Sequence, residues 1–177
     1  MSGKTRIEPS ESFSFSLNID GWVVTVRESA DLYMEPGLSD GSPVNIHMVY
    51  DADLHRVVAD RVEILRAGGG SEITSKYLRE VKVQNAVRHV AMNEMIEVYF
   101  SGSIHYGAPS ATKFLDTSKP AKGRERHDVL VDVAIVYEIA LLGALPPLQK
   151  VADYLQVSQS TATRYVSDAR RNGLIKE

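Results

Sequence analysis

The sequence predicts an α+β protein: a small N-terminal antiparallel sheet with helices, a flexible linker and a C-terminal all-α domain. Three observations predict this class. Apolar and polar residues alternate in the first third of the chain, which is typical of strands, and apolar residues recur at helical spacing in the last third. The stretch between them is rich in Ser, Gly, Pro and Thr and has no periodicity. We therefore predict domains at residues 1–100 and 127–177, joined by a linker at 101–126.

The first predicted element is a β-hairpin. Residues 1–12 are polar, and we expect no regular structure there. The runs 13–19 and 22–27 alternate apolar and polar residues on either side of Asp20 and Gly21, a pair typical of tight turns. Trp22 is then expected in the hairpin core.

Two further strands are predicted after a loop. Residues 28–43 contain two prolines and two glycines and are predicted to form that loop. Residues 44–50 alternate like a strand, and 51–54 are typical of a turn. Residues 56–66 fit either a helix or a strand. We favour the strand, because the turn before it and the three glycines after it would close a meander.

Two helices are predicted to complete the N-terminal domain. Thr74 or Ser75 can cap a short helix that ends near Glu80. A second helix is predicted from Val83 to about Met95, because apolar side chains recur there at helical spacing.

Three helices are predicted in the C-terminal domain. The first spans about 128–142 and ends at Gly143, with prolines at 146 and 147, and the second spans 148–155. Ser158 is a good N-cap for the third, which extends to about Asn172 before Gly173. Because the last two helices are short and separated by a three- or four-residue turn, they predict a helix-turn-helix.

The packing of this motif explains its residue types. Ala152 is expected to be small because the third helix crosses close to it. The space between the two helices would be filled by Leu155, Val157, Ala162 and Tyr165. The outer face of the third helix is left polar.

Composition limits the classes of protein that are possible. The chain has no cysteine, which excludes disulfides and thiolate metal sites. No stretch approaches the roughly 18–20 apolar residues of a membrane span, and no apolar signal core follows the first basic residues, so we expect a cytoplasmic protein. The net charge is −3, but residues 119–177 carry nine Lys or Arg against seven Asp or Glu, a balance of +2. This modest excess directs attention to the C-terminal part without establishing nucleic-acid binding.

The run VADYLQVSQSTATRYV from Val151 to Val166, followed by Ala169 and the Gly-Leu-Ile sequence at 173–175, resembles a known family. It is similar to the tri-helical helix-turn-helix DNA-binding domain of bacterial transcription regulators, especially versions from actinobacterial and actinophage proteins. The resemblance covers about residues 127–175. It implies that the third helix enters the major groove of double-stranded DNA.

The resemblance also implies which residues contact DNA. Positions that read bases in this family correspond to Gln159, Ser160, Thr163 and Arg164. Ser158 and Thr161 would lie near the DNA backbone, and candidate phosphate contacts are Lys150, Arg170 and Arg171. Gln can pair with adenine and Arg with guanine. For the two arginines at 170 and 171, a solvated helix end is an equally good interpretation.

Two departures from the family pattern matter. The turn position that is commonly Gly is Gln156, which predicts a slightly different turn conformation. The sequence ends at Glu177, which leaves no room for the β-wing of winged variants. We therefore expect a homodimer, formed through the N-terminal domain, to supply the missing DNA affinity.

Enzyme and metal sites are not predicted. The triple glycine lacks the Lys and Ser or Thr of a phosphate loop, and no G-x-S-x-G sequence occurs. Asp51 and Asp53 fit local turn hydrogen bonding better than a catalytic pair. The five histidines show no metal-ligand spacing, and no cofactor is implied. Tyr137 and Tyr165 are expected in the core.

These observations lead to two hypotheses of different classes. The first is a sequence-specific DNA-binding protein, a transcriptional regulator whose N-terminal domain mediates oligomerisation, partner contact or ligand sensing. The alternative is a protein-interaction or assembly factor in which the helix-turn-helix docks a partner.

Overall fold

The fold is taken from a computed structural model that describes residues 4–35, 37–66, 68, 72–102, 108–118 and 123–176. It confirms the predicted α+β class, with antiparallel sheets followed by packed C-terminal helices. Within the described residues, no helix combines the length and apolar character needed to cross a bilayer.

The larger sheet has four antiparallel strands in the order β1-β4-β5-β6. They are β1 Lys4–Pro9, β4 Ser29–Glu35, β5 Val44–Asp51 and β6 Arg56–Ile64. Its buried face comes from alternate residues, as in β5, where Val44, Ile46 and Met48 are fully buried. The pairing of β5 with β6 is irregular between His47 and Met48, where the strand register shifts.

The smaller sheet has three antiparallel strands in the order β2-β3-β7. They are β2 Phe13–Ile19, β3 Trp22–Arg27 and β7 Ile96–Phe100. The predicted hairpin over β2 and β3 is confirmed, with Asp20 and Gly21 at positive φ in its turn. Trp22 is half-buried and makes edge contacts with Phe100 and Phe114, at centroid distances of 5.6 and 5.5 Å.

Three helices accompany the sheets. They are α1 Ser75–Glu80, α2 Val83–Val90 and α3 Ala111–Thr117. The chain continues from α2 through a π-helical turn, Ala91–Met95, directly into β7. The predicted helix from Val83 to about Met95 is therefore present, but its last turn is wider than an α-helix.

The C-terminal helices are α4 Arg126–Leu142, α5 Pro147–Leu155 and α6 Gln159–Arg171. Helix α4 contacts β2, β3 and β6 on one side and α5 and α6 on the other. Eleven of its 17 residues are buried, so it is enclosed on most of its circumference. The buried apolar residues of the sheets and of α4–α6 belong to one hydrophobic cluster. The division into two domains stays a prediction.

Three expectations about local structure were wrong, and one strand was not predicted. Residues 4–9, expected to be irregular, form β1 because they pair along their whole length with β4. The predicted loop at 28–43 contains β4, which buries Ala30 and Leu32. Strand β7 was missed. The linker predicted at 101–126 contains α3, which is held by the buried side chain of Phe114, while residues 103–107 and 119–122 lie outside the described part.

The end of α4 differs in detail from the expectation. Its last residue is Leu142, as predicted, but the residue in the left-handed conformation is Ala144, at φ 51°, rather than Gly143 at φ −84°. Gly143 lies close to its neighbours. A Cβ atom there would lie 2.8 Å from Met92 Sδ and 3.2 Å from the Ile139 carbonyl oxygen.

The enclosure of α4 predicts a large effect of shortening a side chain on it. Ile139 is fully buried, and we expect Ile139→Ala to reduce the free energy of unfolding by about 2–5 kcal/mol, because the cavity cannot collapse completely. The matched change Ile73→Ala, at a residue that is 37% exposed, should cost less than about 1 kcal/mol. Urea denaturation of the full chain measures both. Equal costs would contradict the central position of α4.

Candidate nucleic-acid interface

Helices α4, α5 and α6 form the predicted tri-helical unit, with a helix-turn-helix made by the last two. Residues 156–158 connect α5 to α6. The contact between these helices is made by small and branched residues: Val151, Ala152, Ala162, Val166 and Ala169 are all buried. Ala152 is 4% exposed, and the requirement for a small residue there stays a prediction. Leu155 and Val157 are half-buried and pack against the same cluster.

The turn between the helices has the left-handed conformation that glycine favours. Gln156 has φ 55° and ψ 45°. Its N–H donates to the Asp153 carbonyl at 3.3 Å, and the Val157 N–H donates to the Ala152 carbonyl at 3.0 Å. These two bonds form a Schellman motif, which satisfies carbonyls at the helix end. The expectation that Gln156 imposes a different turn conformation was wrong, because the two bonds stabilise the left-handed residue despite its side chain.

A cluster of hydroxyl groups caps the start of α6. Ser158 Oγ accepts a hydrogen bond from the Thr161 N–H at 3.2 Å, which is the predicted N-cap. Ser158 Oγ also lies 2.9 Å from both Ser160 Oγ and Thr161 Oγ1. These hydroxyls lie at the first turn of α6, and the unpaired N–H groups of a helix N-terminus favour a phosphate oxygen.

The outer face of α6 carries the four candidate base-reading residues. Gln159, Ser160, Thr163 and Arg164 are all exposed. Thr163 Oγ1 donates to the Gln159 carbonyl at 2.9 Å, so that hydroxyl is partly engaged. In the described part of the chain, the side chains of Gln159 and Arg164 have no hydrogen-bond or ion-pair partner. Their donors and acceptors are therefore available to a ligand.

The candidate phosphate contacts differ in their surroundings. Arg170 donates to the Tyr137 hydroxyl at 2.8 Å, and its guanidinium lies 5.4 Å from the centre of that ring. Arg171 pairs with Asp168 at 3.0 Å, and Asp168 also accepts from Arg126. Lys150 lies on α5 and is half-buried beside the turn. Arg170 and Arg171 thus have intramolecular partners at the C-terminal end of α6, away from the candidate base-reading residues.

A buried carboxylate that the sequence did not reveal fixes α5 against α4. Asp132, on α4, is 5% exposed and accepts hydrogen bonds from Arg124 and, at 3.2 Å, from the Tyr154 hydroxyl. The same hydroxyl contacts the Ser118 carbonyl. Burial raises the pKa of Asp132, although Arg124 opposes this, and burial followed by the Asp132 charge raises the pKa of Tyr154. Tyr154 follows Val151 by three residues, and this spacing could have indicated that it faces inward.

The other candidates have local partners. Asp51 Oδ1 accepts from the Leu54 N–H at 2.9 Å, which is the predicted turn hydrogen bond. Tyr137 and Tyr165 are half-buried against the hydrophobic cluster. His47 pairs with Asp31, and His127 with Asp20, each at 3.0 Å. His105 lies outside the described residues, and among those described no three His, Asp or Glu side chains converge as a metal site.

Comparisons of the chain with protein-family models, with curated proteins and with solved structures give no match.

The left-handed turn predicts opposite effects of the same substitution at two glutamines. We expect Gln156→Gly to stabilise the protein by up to about 1 kcal/mol, because a side chain is unfavourable in this conformation. Gln149→Gly, within α5, should destabilise it by roughly 0.5–1 kcal/mol, since glycine is a poor helix former and the 2.7 Å bond from Gln149 to Asp153 is lost. Thermal unfolding of both variants measures the difference. A destabilising effect of similar size at both positions would contradict the turn geometry.

Proposed function

We propose that the chain is a sequence-specific double-stranded DNA-binding protein that acts as a cytoplasmic transcriptional regulator, with α6 as the recognition helix. The observation that carries the proposal is the outer face of α6. It begins with a capped N-terminus and presents Gln159 and Arg164 to solvent without intramolecular partners. In this proposal the chain binds DNA and catalyses no reaction.

The chemistry of this face matches base edges in the major groove. The amide of Gln159 can donate to and accept from adenine, while the guanidinium of Arg164 can donate two parallel bonds to guanine. Ser160 and Thr163 supply hydroxyls that suit several bases. The face has no carboxylate from Gln159 to Ser167, so no negative charge on this part of the helix opposes the approach of DNA.

The proposed phosphate contacts are weaker than the base contacts. The Ser158 hydroxyl already accepts a hydrogen bond as the helix cap, so the N–H groups of the first turn are the better phosphate donors there. Lys150 and Thr161 flank this end. Arg170 and Arg171 could reach DNA only by exchanging their bonds to Tyr137 and Asp168. Because few cations are free, a single unit would neutralise few phosphates and bind weakly.

Two copies of the chain would remedy this weakness. A homodimer can place two recognition helices on half-sites about 34–36 Å apart, in successive major grooves. The sheets and the chain just after β6 leave exposed apolar side chains for such self-association, including Phe13, Phe100 and Leu65, which are 48%, 47% and 52% exposed.

The proposed base contact of Arg164 can be tested by substitution. Duplexes selected from a random library by the full chain provide the specific site, and fluorescence anisotropy measures affinity for it and for an unselected duplex. We expect Arg164→Ala to weaken the selected site by about 1–3 kcal/mol and to change the unselected duplex little, because a base contact carries the specificity.

The control for this experiment is Arg61→Ala, at an exposed arginine of β6, which should leave both affinities unchanged. Equal weakening of both duplexes by Arg164→Ala would identify a phosphate contact instead of a base contact. Failure of the native chain to select any duplex at low salt would reject DNA binding and favour the alternative, in which the helix-turn-helix docks a protein.

The proposed homodimer has its own test. Light scattering on the full chain should give twice the mass of one chain, and nuclease protection should reveal two related half-sites about one helical turn apart. The full chain is the appropriate sample, because α4 packs on β2, β3 and β6. A monomeric chain that protects one short site with full affinity would contradict the dimer.

A further inference from the structure

A cleft of about 630 Å³ lies where the sheet meets the C-terminal helices. Its walls come from three places: the β5–β6 turn, helix α2, and the turn between α4 and α5. The apolar part of the wall includes Leu54, Leu141, Leu145 and Pro146. Leu54 is 55% exposed, so the cleft has an apolar rim that the protein itself does not cover. Its size is within the range of small-molecule sites.

The polar part of the wall is cationic. It contains Arg56 and Arg88 and, in the described part of the chain, no acidic residue lines the cleft. Arg88 Nε donates to the Ala144 carbonyl at 3.1 Å. This bond uses only one edge of the guanidinium and leaves its terminal nitrogens as donors. The side chain of Arg56 has no hydrogen-bond or ion-pair partner among the described residues. Two unneutralised guanidinium groups therefore share one cleft.

The third polar residue of the wall is already fully engaged. His55 Nε2 lies 2.6 Å from Glu138 Oε1, and His55 Nδ1 lies 3.0 Å from the Tyr50 hydroxyl. Glu138, the carboxylate behind the wall, is 8% exposed and is bonded to this histidine. Glu138 does not line the cleft, and His55 contributes a ring surface to the cleft without a free nitrogen.

A second hollow of about 380 Å³ continues from the first. It lies between β6 and α2 and shares Arg56 and Ala144 with the larger cleft. Its apolar wall is formed by valines: Val57, Val58, Val62, Val83 and Val87. Val62 is 39% exposed. An apolar chain placed here would cover valine side chains and still leave one end beside Arg56.

From this arrangement we infer that the cleft binds an amphipathic anion, with a carboxylate or phosphate head between Arg56 and Arg88 and an apolar chain along the leucine and valine walls. Guanidinium groups suit such oxyanions because each can donate two parallel hydrogen bonds. The apolar walls would bury the chain. This site is independent of the proposed DNA interface, since it shares no residue with the outer face of α6.

The inference is tested with two anionic probes and one neutral probe. Octanoate and octyl phosphate carry the same chain with different heads, and octanamide carries no charge. Amide resonances of the full chain, recorded by NMR during titration, report binding. We expect the resonances of residues 54–56 and 141–145 to shift with either or both anions, and octanamide to bind at least about tenfold more weakly, because charged hydrogen bonds are lost. The stronger anion identifies the preferred head group.

Substitutions of the two arginines test where the anionic head group of the ligand binds. Arg56→Gln and Arg88→Gln should each weaken the stronger anion about tenfold. Arg61→Gln, at an exposed arginine of the same strand that pairs with Glu63 at 3.4 Å, should leave its affinity unchanged. Because Arg88 also contacts the Ala144 carbonyl, Leu54→Glu provides a second test at an exposed residue. It should abolish binding by repulsion while thermal unfolding stays unchanged.

Three results would overturn the inference. One is that neither anion shifts these resonances at about 10 mM, well above the range expected of a specific site. Another is that octanamide binds as well as the anions. The third is that Arg61→Gln weakens binding as much as Arg56→Gln. None of these results depends on DNA, so the inference and the proposed function can fail separately.

Discussion

The fold depends on the enclosure of α4. This helix is apolar around most of its circumference because one side packs on the sheets and the other on α5 and α6. Removing that surface from water is the main favourable contribution that α4 can make to folding. The same enclosure fixes the orientation of the helix-turn-helix relative to the sheets.

Enclosure has a cost at the two carboxylates of α4. Asp132 and Glu138 are both buried, and a buried charge is unfavourable unless it is paired and hydrogen-bonded. Their partners lie on different sides of the helix. Arg124 and Tyr154 bond Asp132 on the side of α5, while His55 bonds Glu138 on the side of the sheet. Both carboxylates keep their partners only when α4 has one particular rotation about its axis. Their hydrogen bonds therefore favour that rotation over others in which the apolar contacts alone could form.

Strands and helices were predicted correctly where the apolar residues of the local sequence pattern are the residues that the fold buries. Strands β2 and β5 alternate apolar and polar residues because each has one buried face, and α5 and α6 have a clear apolar face at helical spacing. Strand β1 was missed because it is a polar edge strand whose order comes from pairing with β4. Helix α3 was missed because it has only seven residues and is anchored by tertiary contacts of Ala111 and Phe114. Local pattern contains no information about such distant partners.

The candidate interface was likewise predictable only in part. The residues of α6 were predictable, since an outward polar face follows from the helical spacing of the inward one. The partners of Arg170 and Arg171 were not, because Tyr137 is 33 residues before Arg170 in the chain. The cleft at Arg56 and Arg88 could not be predicted from the sequence either, because its walls come from three separate segments of the chain. A site of that kind exists only once the chain has folded.

The close approach of Gly143 to Met92 has a consequence for how related sequences can vary. The missing side chain at 143 provides the space that the thioether of Met92 occupies, since a Cβ would lie 2.8 Å from its sulfur. The two positions are 51 residues apart, in the π-helical turn and at the end of α4. Divergence at one should therefore be coupled to divergence at the other. A side chain at 143 would require the thioether of Met92 to move, so sequence changes at these two positions are expected to be coupled across the junction between the sheets and the helix-turn-helix.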